Sequence, residues 1–160
     1  MGIIVSIIVV LMLIGSVLWL KPSASQQRQT QLRLLARQLG LDVRLSALPQ
    51  VRRARVRGEL AQQGVVYRLL KFGENRERPI EYVICRADAQ SPWESESATQ
   101  LSPAVQAELD RVLAQLPSDA LAFEITPIGC GVYWRERGGE DTVRLLKQLL
   151  ESMQQVLTAA

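Results

Sequence analysis

Apolar residues recur along this chain with two different periods, and these periods predict its secondary structure. In residues 32–39 (LRLLARQL) the apolar positions return every three or four residues, as on one face of a helix, and Gly40 is placed to end it. Ser102 and Pro103 predict the start of a second helix, which Pro117 ends. The same spacing over residues 143–157 predicts a third helix.

Alternation of apolar and polar residues, or a run rich in β-branched and aromatic residues, predicts strands between these helices. The predicted strands are residues 42–46 (DVRLS), 52–57 (RRARVR), 65–72 (VVYRLLKF), 80–86 (IEYVICR), 120–126 (ALAFEIT) and 132–137 (VYWRER). The third and fourth are expected to form one hairpin, and the last two another. Helix, strand and then two strand-strand-helix units predict an α+β fold, a mostly antiparallel sheet with helices on one face.

The N-terminal stretch has a different composition. Gly2–Leu20 carries no charged residue, and a helix of that length spans about 28 Å, close to the hydrocarbon thickness of a bilayer. Trp19 and Lys21 fit the membrane interface. A cleaved signal peptide would need a basic start and a shorter apolar core. We therefore expect an N-terminal transmembrane helix before the small α+β domain.

Charge is distributed unevenly, and this distribution predicts an orientation. From Lys21 to Lys71 eleven basic and two acidic residues give +9, the rest of the chain carries −6, and the whole carries +3. Basic residues close to a spanning helix favour the cytoplasmic side. The expected location is thus a single pass through the bacterial inner membrane. We expect a transmembrane anchor at 1–21, a juxtamembrane amphipathic helix at 22–41 and a cytoplasmic α+β domain at 42–160.

Several catalytic chemistries are excluded by composition. The 160-residue chain contains no histidine and only two cysteines, Cys85 and Cys130, both in apolar surroundings that predict buried, reduced thiols. Neither common glycine-rich nucleotide loop occurs. The carboxylates Glu94, Glu96 and Glu124 lack any sign of the burial that acid–base catalysis requires. We therefore predict no enzyme, no catalytic residue, no metal ligand and no cofactor.

One short motif resembles a catalytic loop. Residues 138–141 read GGED, which resembles the Gly-Gly-(Asp/Glu)-Glu-Phe loop of diguanylate cyclases. Thr142 stands where that loop has its aromatic residue, and a helical pattern follows instead of a strand. We interpret the motif as a strand-to-helix junction, in which two glycines supply unusual backbone angles and Glu140 and Asp141 lie in the first turn of the last helix.

The order of these segments also resembles a larger group of proteins. WLKPS at the end of the apolar stretch, the helix QRQTQLRLLARQLGL, and ITPIGCGVYWRERGG before the last helix resemble the layout of small single-pass inner-membrane proteins of Gram-negative bacteria. One anchor with a cytoplasmic domain is also similar in layout to the small accessory subunit of the Sec translocon. This resemblance implies an accessory role in an envelope assembly or secretion complex.

The leading functional hypothesis is a membrane-anchored, non-catalytic interaction domain that binds another protein. The alternative is a membrane-surface adaptor that binds anionic lipid or nucleic acid through the basic proximal segment. The lipid bilayer and another membrane or cytoplasmic protein are the expected partners, with anionic lipid as a further partner and nucleic acid less favoured. The residues predicted to contact an anionic surface are Arg28, Arg33, Arg37, Arg52, Arg53, Arg55 and Arg57.

Overall fold

The structure, a computed structural model, describes residues 2, 3, 6, 12, 23–70, 80–95 and 97–159. The chain divides into two compact units, Met1–Gln31 and Leu32–Ala160. In the first unit residues 2, 3, 6 and 12 are helical. Ser23 caps the next helix reciprocally, because its Oγ accepts from Gln26 N (3.3 Å) while its own N–H donates to Gln26 Oε1 (3.0 Å). The site described below lies in the second unit.

The described elements follow the predicted order except at residues 52–57, which are helical, and at residues 94–95, which form an additional short strand. In chain order they are α1 (Ala24–Gln38), β1 (Asp42–Ala47), α2 (Arg52–Val56), β2 (Gln63–Leu70), β3 (Tyr82–Cys85), β4 (Glu94–Ser95), α3 (Pro103–Gln115), β5 (Ala120–Thr126), β6 (Gly129–Trp134) and α4 (Glu140–Ala159). The predicted stop and start signals hold at two of the helices. Gly40 follows α1 with φ 81°, and Ser102 Oγ accepts from Val105 N at the start of α3.

Six strands form one antiparallel sheet in the order β1-β2-β6-β5-β3-β4. The β5–β6 hairpin occupies the centre, and every residue of β6 is buried. A strand that is apolar on both faces is typical of the interior of a sheet, where neighbouring strands bond its backbone and other elements cover both of its faces. The predicted α+β class, antiparallel sheet and final hairpin are therefore confirmed.

The two faces of the sheet are covered differently. On one, which we call the helix face, α1, α3 and α4 pack through Ala36, Leu109 and Leu146 against Phe123 and Trp134. The opposite face, which we call the second face, carries a smaller apolar cluster of Val66, Cys85, Ala122 and Tyr133. Leu48 and Val51 pack on that cluster, so the segment that contains α2 crosses the second face.

The prediction of a transmembrane helix has to be corrected. Among residues 2, 3, 6, 12, 23–70, 80–95 and 97–159 no helix combines the length and the apolar character needed to cross a membrane. The long helices that are described, α1 and α4, carry charged side chains along their length, whereas a span needs about 20 mostly apolar residues. Most of the predicted span lies outside the described residues. The predicted single-pass inner-membrane location rested on that helix and is corrected with it.

Two predictions about the strands are also wrong. Residues 52–57 form the short helix α2 and a turn, because β1 and β2 already pair along their length and the segment leaves the sheet to cross its second face. Strands β2 and β3 do not form a hairpin, since β6 pairs with β2 and β5 pairs with β3. The polar loop predicted between them falls in 71–79, outside the described residues.

The two acidic residues of the GGED motif are helical as predicted, but its two glycines do not supply the predicted unusual backbone angles. Glu140 and Asp141 occupy the first turn of α4. The residue with positive φ is Glu136 (58°) and not either glycine. Gly138 is required for space, because a Cβ there would lie 2.3 Å from Thr142 Oγ1 and 2.9 Å from Trp134 Cζ2.

The turn that joins β5 to β6 generates a stability prediction. Gly129 has φ 147°, and a Cβ on it would lie 2.1 Å from the backbone oxygen of Leu69. We expect Gly129→Ala to lower the free energy of unfolding by about 3 kcal/mol or more. Gly139, where a Cβ meets nothing within 4 Å, is the matched control, and Gly139→Ala should cost less than about 1 kcal/mol. Urea unfolding of both variants measures the difference, and equal effects would contradict it.

Candidate functional site

Two glutamates are the buried charged residues of the described chain, one on each face of the sheet. Glu124 and Glu136 are each 5 % exposed. Both belong to the central hairpin or its immediate continuation, Glu124 on β5 and Glu136 two residues beyond β6. A buried carboxylate is costly unless it is paired and hydrogen-bonded, so the neighbours of each decide whether it is reactive or structural.

On the second face, Glu124 is held by an arginine and a tyrosine. Arg68 Nε of β2 donates to Glu124 Oε1, and the Tyr133 hydroxyl donates to Glu124 Oε2 at 2.8 Å. The hydrogen bond to Glu124 raises the pKa of Arg68. Burial, followed by the same carboxylate, raises the pKa of Tyr133. The guanidinium therefore stays charged and the phenol stays neutral over the ordinary pH range.

A glycine on β6 makes the Arg68–Glu124 pair possible. Arg68 and Glu124 lie opposite Gly131 on its two sides, since the register pairs Gly131 with both. A Cβ on Gly131 would lie 2.8 Å from Arg68 Cγ and 3.0 Å from Glu124 Oε1. The two side chains meet across the intervening strand because that strand has no side chain at this position.

On the helix face, Glu136 has an equivalent set of partners. Arg33 of α1 donates from Nε to Glu136 Oε1 and from Nη2 to Glu136 Oε2, each at 2.7 Å. The Tyr67 hydroxyl also donates to Glu136 Oε1, at 2.7 Å. Tyr67 also packs edge-on against Trp134, with ring centroids 5.4 Å apart. Burial, followed by the bond to Glu136, raises the pKa of Tyr67. The bidentate pair fixes the left-handed backbone of Glu136.

These contacts favour a structural role for both carboxylates. Each of their four oxygens accepts a hydrogen bond from an arginine or a tyrosine. The carboxylates are therefore occupied by these partners within the fold. Sequence reasoning missed their burial. An alternating strand shows only that Glu124 points to the opposite face from Phe123 and Ile125, and its arginine partner comes from β2, 56 residues earlier in the chain.

The two cysteines are free and buried, as predicted. Burial raises the pKa of Cys130 to about 12, and its thiol lies 3.4 Å from the Leu150 carbonyl oxygen. Burial also raises the pKa of Cys85, with a further contribution from Glu94. Neither thiol is therefore activated as a nucleophile. In the described part of the chain no three His, Cys, Asp or Glu side chains come together as a metal site.

An accessible groove with polar and apolar residues lies beside α2. A groove of about 300 Å³, which we call the basic groove, runs between this helix and strands β3 and β4. Val51, Val83 and Cys85 contribute apolar surface to it, and Arg52 and Arg55 border it. On the β4 side Arg53 Nη2 lies 3.6 Å from Glu94 Oε1.

The predicted anionic-surface arginines are placed in different environments. Arg52, Arg53, Arg55 and Arg57 lie together on α2 and the turn after it, and all four are exposed. Arg33 is instead committed to Glu136. Arg37 is exposed on α1, and Arg28 belongs to the first unit of the chain. Four of the seven predicted arginines therefore lie on one short exposed segment, and two of them, Arg52 and Arg55, line the basic groove.

The chain was compared with protein-family models, curated proteins and solved structures, and none of them matches it. Any statement about function must therefore come from the geometry of the described residues.

The Glu136 cluster makes a stability prediction with a matched control. Glu136→Gln removes the charge that holds Arg33, so we expect the free energy of unfolding to fall by about 2–3 kcal/mol. Glu140→Gln removes an exposed carboxylate that reaches only Arg144, at 3.4 Å, and should cost less than about 1 kcal/mol. Urea unfolding at pH 7 compares the two, and a similar cost for both would contradict the structural role.

The buried thiol makes a prediction about alkaline pH. The pKa of Cys130 is raised from 9.0 to about 12 in the folded chain, so its contribution to stability is complete below pH 9 and is lost as the pH rises towards 12. Tyr67 and Tyr133, whose pKa values are also raised, add to the loss above pH 10. Between pH 9 and 11, Cys130→Ala should lose stability less steeply than the wild type, by about 1.4 kcal/mol per pH unit. Urea unfolding across this range tests it, and parallel curves would refute it.

Proposed function

We propose that this chain is a non-catalytic interaction domain that binds an acidic segment of another protein in the basic groove. The proposal is carried by the contrast between the buried carboxylates of this domain, which are paired, and the arginines of α2, which are exposed. The buried carboxylates are satisfied within the fold, and the thiols are buried. Arg52 and Arg55 of α2 border the groove, whose lining combines the apolar Val51 and Val83 with the polar Gln50, Glu94 and Ser97.

The groove has the composition of a peptide-binding surface. Val51 and Val83 offer apolar contact, and Arg52 and Arg55 offer donors to carboxylates at the rim. Arginine binds carboxylates through paired, charge-assisted hydrogen bonds. A chain segment that alternates acidic and apolar residues would match both features.

A direct binding assay tests this proposal. We expect the full-length protein to bind a fluorescent peptide of alternating glutamate and leucine, and Arg52→Glu with Arg55→Glu to weaken that binding roughly tenfold or more. Arg144→Glu on α4, whose side chain is 54 % exposed, is the matched control and should bind as the wild type does. Fluorescence anisotropy at two salt concentrations measures all three proteins.

The outcomes separate this function from its rivals. Loss of binding in the double variant alone supports the groove. No binding by the wild type, or equal binding by all three proteins, overturns the proposal. In cells, a photo-crosslinking residue at position 52 should capture a protein that the same residue at position 144 does not.

A second candidate function is an adaptor for an anionic surface, and one feature favours it. Val56 and Leu60 are 79 % and 93 % exposed next to the arginines of α2. Apolar side chains among basic ones are typical of segments that bind the headgroup region of anionic membranes. Vesicles that contain phosphatidylglycerol, and a DNA duplex, are parallel probes in the same assay. Tighter binding to either than to the peptide would favour this candidate.

A further inference from the structure

The two edges of the sheet differ in how they are protected. The described part of strand β4 has two residues, Glu94 and Ser95. Beside it, serine side chains hydrogen-bond to backbone groups of β3. Val83 N donates to Ser97 Oγ (2.9 Å), and Ser95 Oγ donates to Val83 O (2.8 Å). A short strand with side-chain caps offers little to a further strand.

The β1 edge has none of these protections. Its six residues, Asp42–Ala47, contain no proline and no lysine, and its ladder with β2 runs without a bulge. No described element pairs with its outer side. Leu45 is 70 % exposed on it. Proteins usually block such an edge when it is not used.

The sequence of this edge is complementary to itself when reversed. Residues 41–45 read Leu-Asp-Val-Arg-Leu. In an antiparallel pair centred on Val43, each Asp42 lies opposite Arg44 of the other copy. Each Leu45 falls opposite Leu41, which precedes β1 and is buried in its own copy (3 % exposed). The charges then share the second face and the apolar residues share the helix face, because side chains alternate along a strand. A shift by one residue would destroy both matches.

The two charges on β1 already form an ion pair within a single copy. Arg44 Nε lies 2.7 Å from Asp42 Oδ2, yet that buried oxygen accepts no hydrogen bond. Residues two apart on one strand have side chains about 7 Å apart at their bases, whereas directly opposite residues on paired strands are about 5 Å apart. Pairing with a second copy would place a further opposite charge directly across from each of them.

We propose that β1 pairs with β1 of a second copy of this chain, around a two-fold axis at Val43, and joins two six-stranded sheets into one continuous sheet. This isologous contact covers Leu45 and uses the same residues on both copies. It involves no residue of the basic groove, so it stands independently of the proposed function.

Charge reversal provides the test in the full-length protein. Asp42→Arg places two arginine pairs in the contact, and Arg44→Asp places two aspartate pairs there. Each variant alone should self-associate roughly tenfold or more weakly than the wild type. An equimolar mixture of the two restores opposite charges at both positions, so association should return. Sedimentation of each protein, and co-purification of copies with two different tags, measure it.

Controls separate the contact from damage to the fold. Leu45→Asn changes no charge at an exposed position and should also weaken association. Arg144→Asp on α4 and the Arg52→Glu, Arg55→Glu double variant should associate as the wild type does, and circular dichroism checks that every variant is folded. A monomeric wild type, single reversals that associate normally, or a mixture that does not regain association would each overturn the proposal.

Discussion

The β5–β6 hairpin has to be buried on both of its faces, and the rest of the domain is arranged around this requirement. Its residues are buried almost without exception. The flanking strands β2 and β3 satisfy its backbone, the three long helices cover one face, and Leu48 and Val51 of the segment with α2 cover part of the other. The unusual strand order follows, because a central position supplies neighbours on both sides.

Burying the hairpin also buries two carboxylates, and each is paired with the same two kinds of side chain. Glu124 and Glu136 are each held by one arginine and one tyrosine, on opposite faces of the sheet. Removal of one partner of a buried pair costs far more than an exposed pair contributes. These clusters therefore tie distant parts of the chain, α1 and β2, to the central hairpin.

The basic excess of the N-terminal half is divided between these structural pairs and the surface. Arg33 and Arg68 are occupied by buried carboxylates, whereas the arginines of α2 remain exposed. The arginines of α2 reach solvent, although Arg53 and Arg57 each lie 3.6 Å from a glutamate oxygen. A net charge counted over a segment cannot distinguish the two uses, because it does not contain the register that brings acid and base together.

The sequence by itself determined the elements with strong local signals. Ser102 and Pro103 start α3, Gly40 ends α1, and the apolar spacing of α4 and the alternation of β5 are sufficient to place them, because caps and periodicity act over a few residues. Only the tertiary structure decided the strand order, the helical state of α2 and the burial of Glu124 and Glu136. Each of these depends on residues far apart in the chain, such as Gly131 between Arg68 and Glu124, and local patterns carry no information about such pairings.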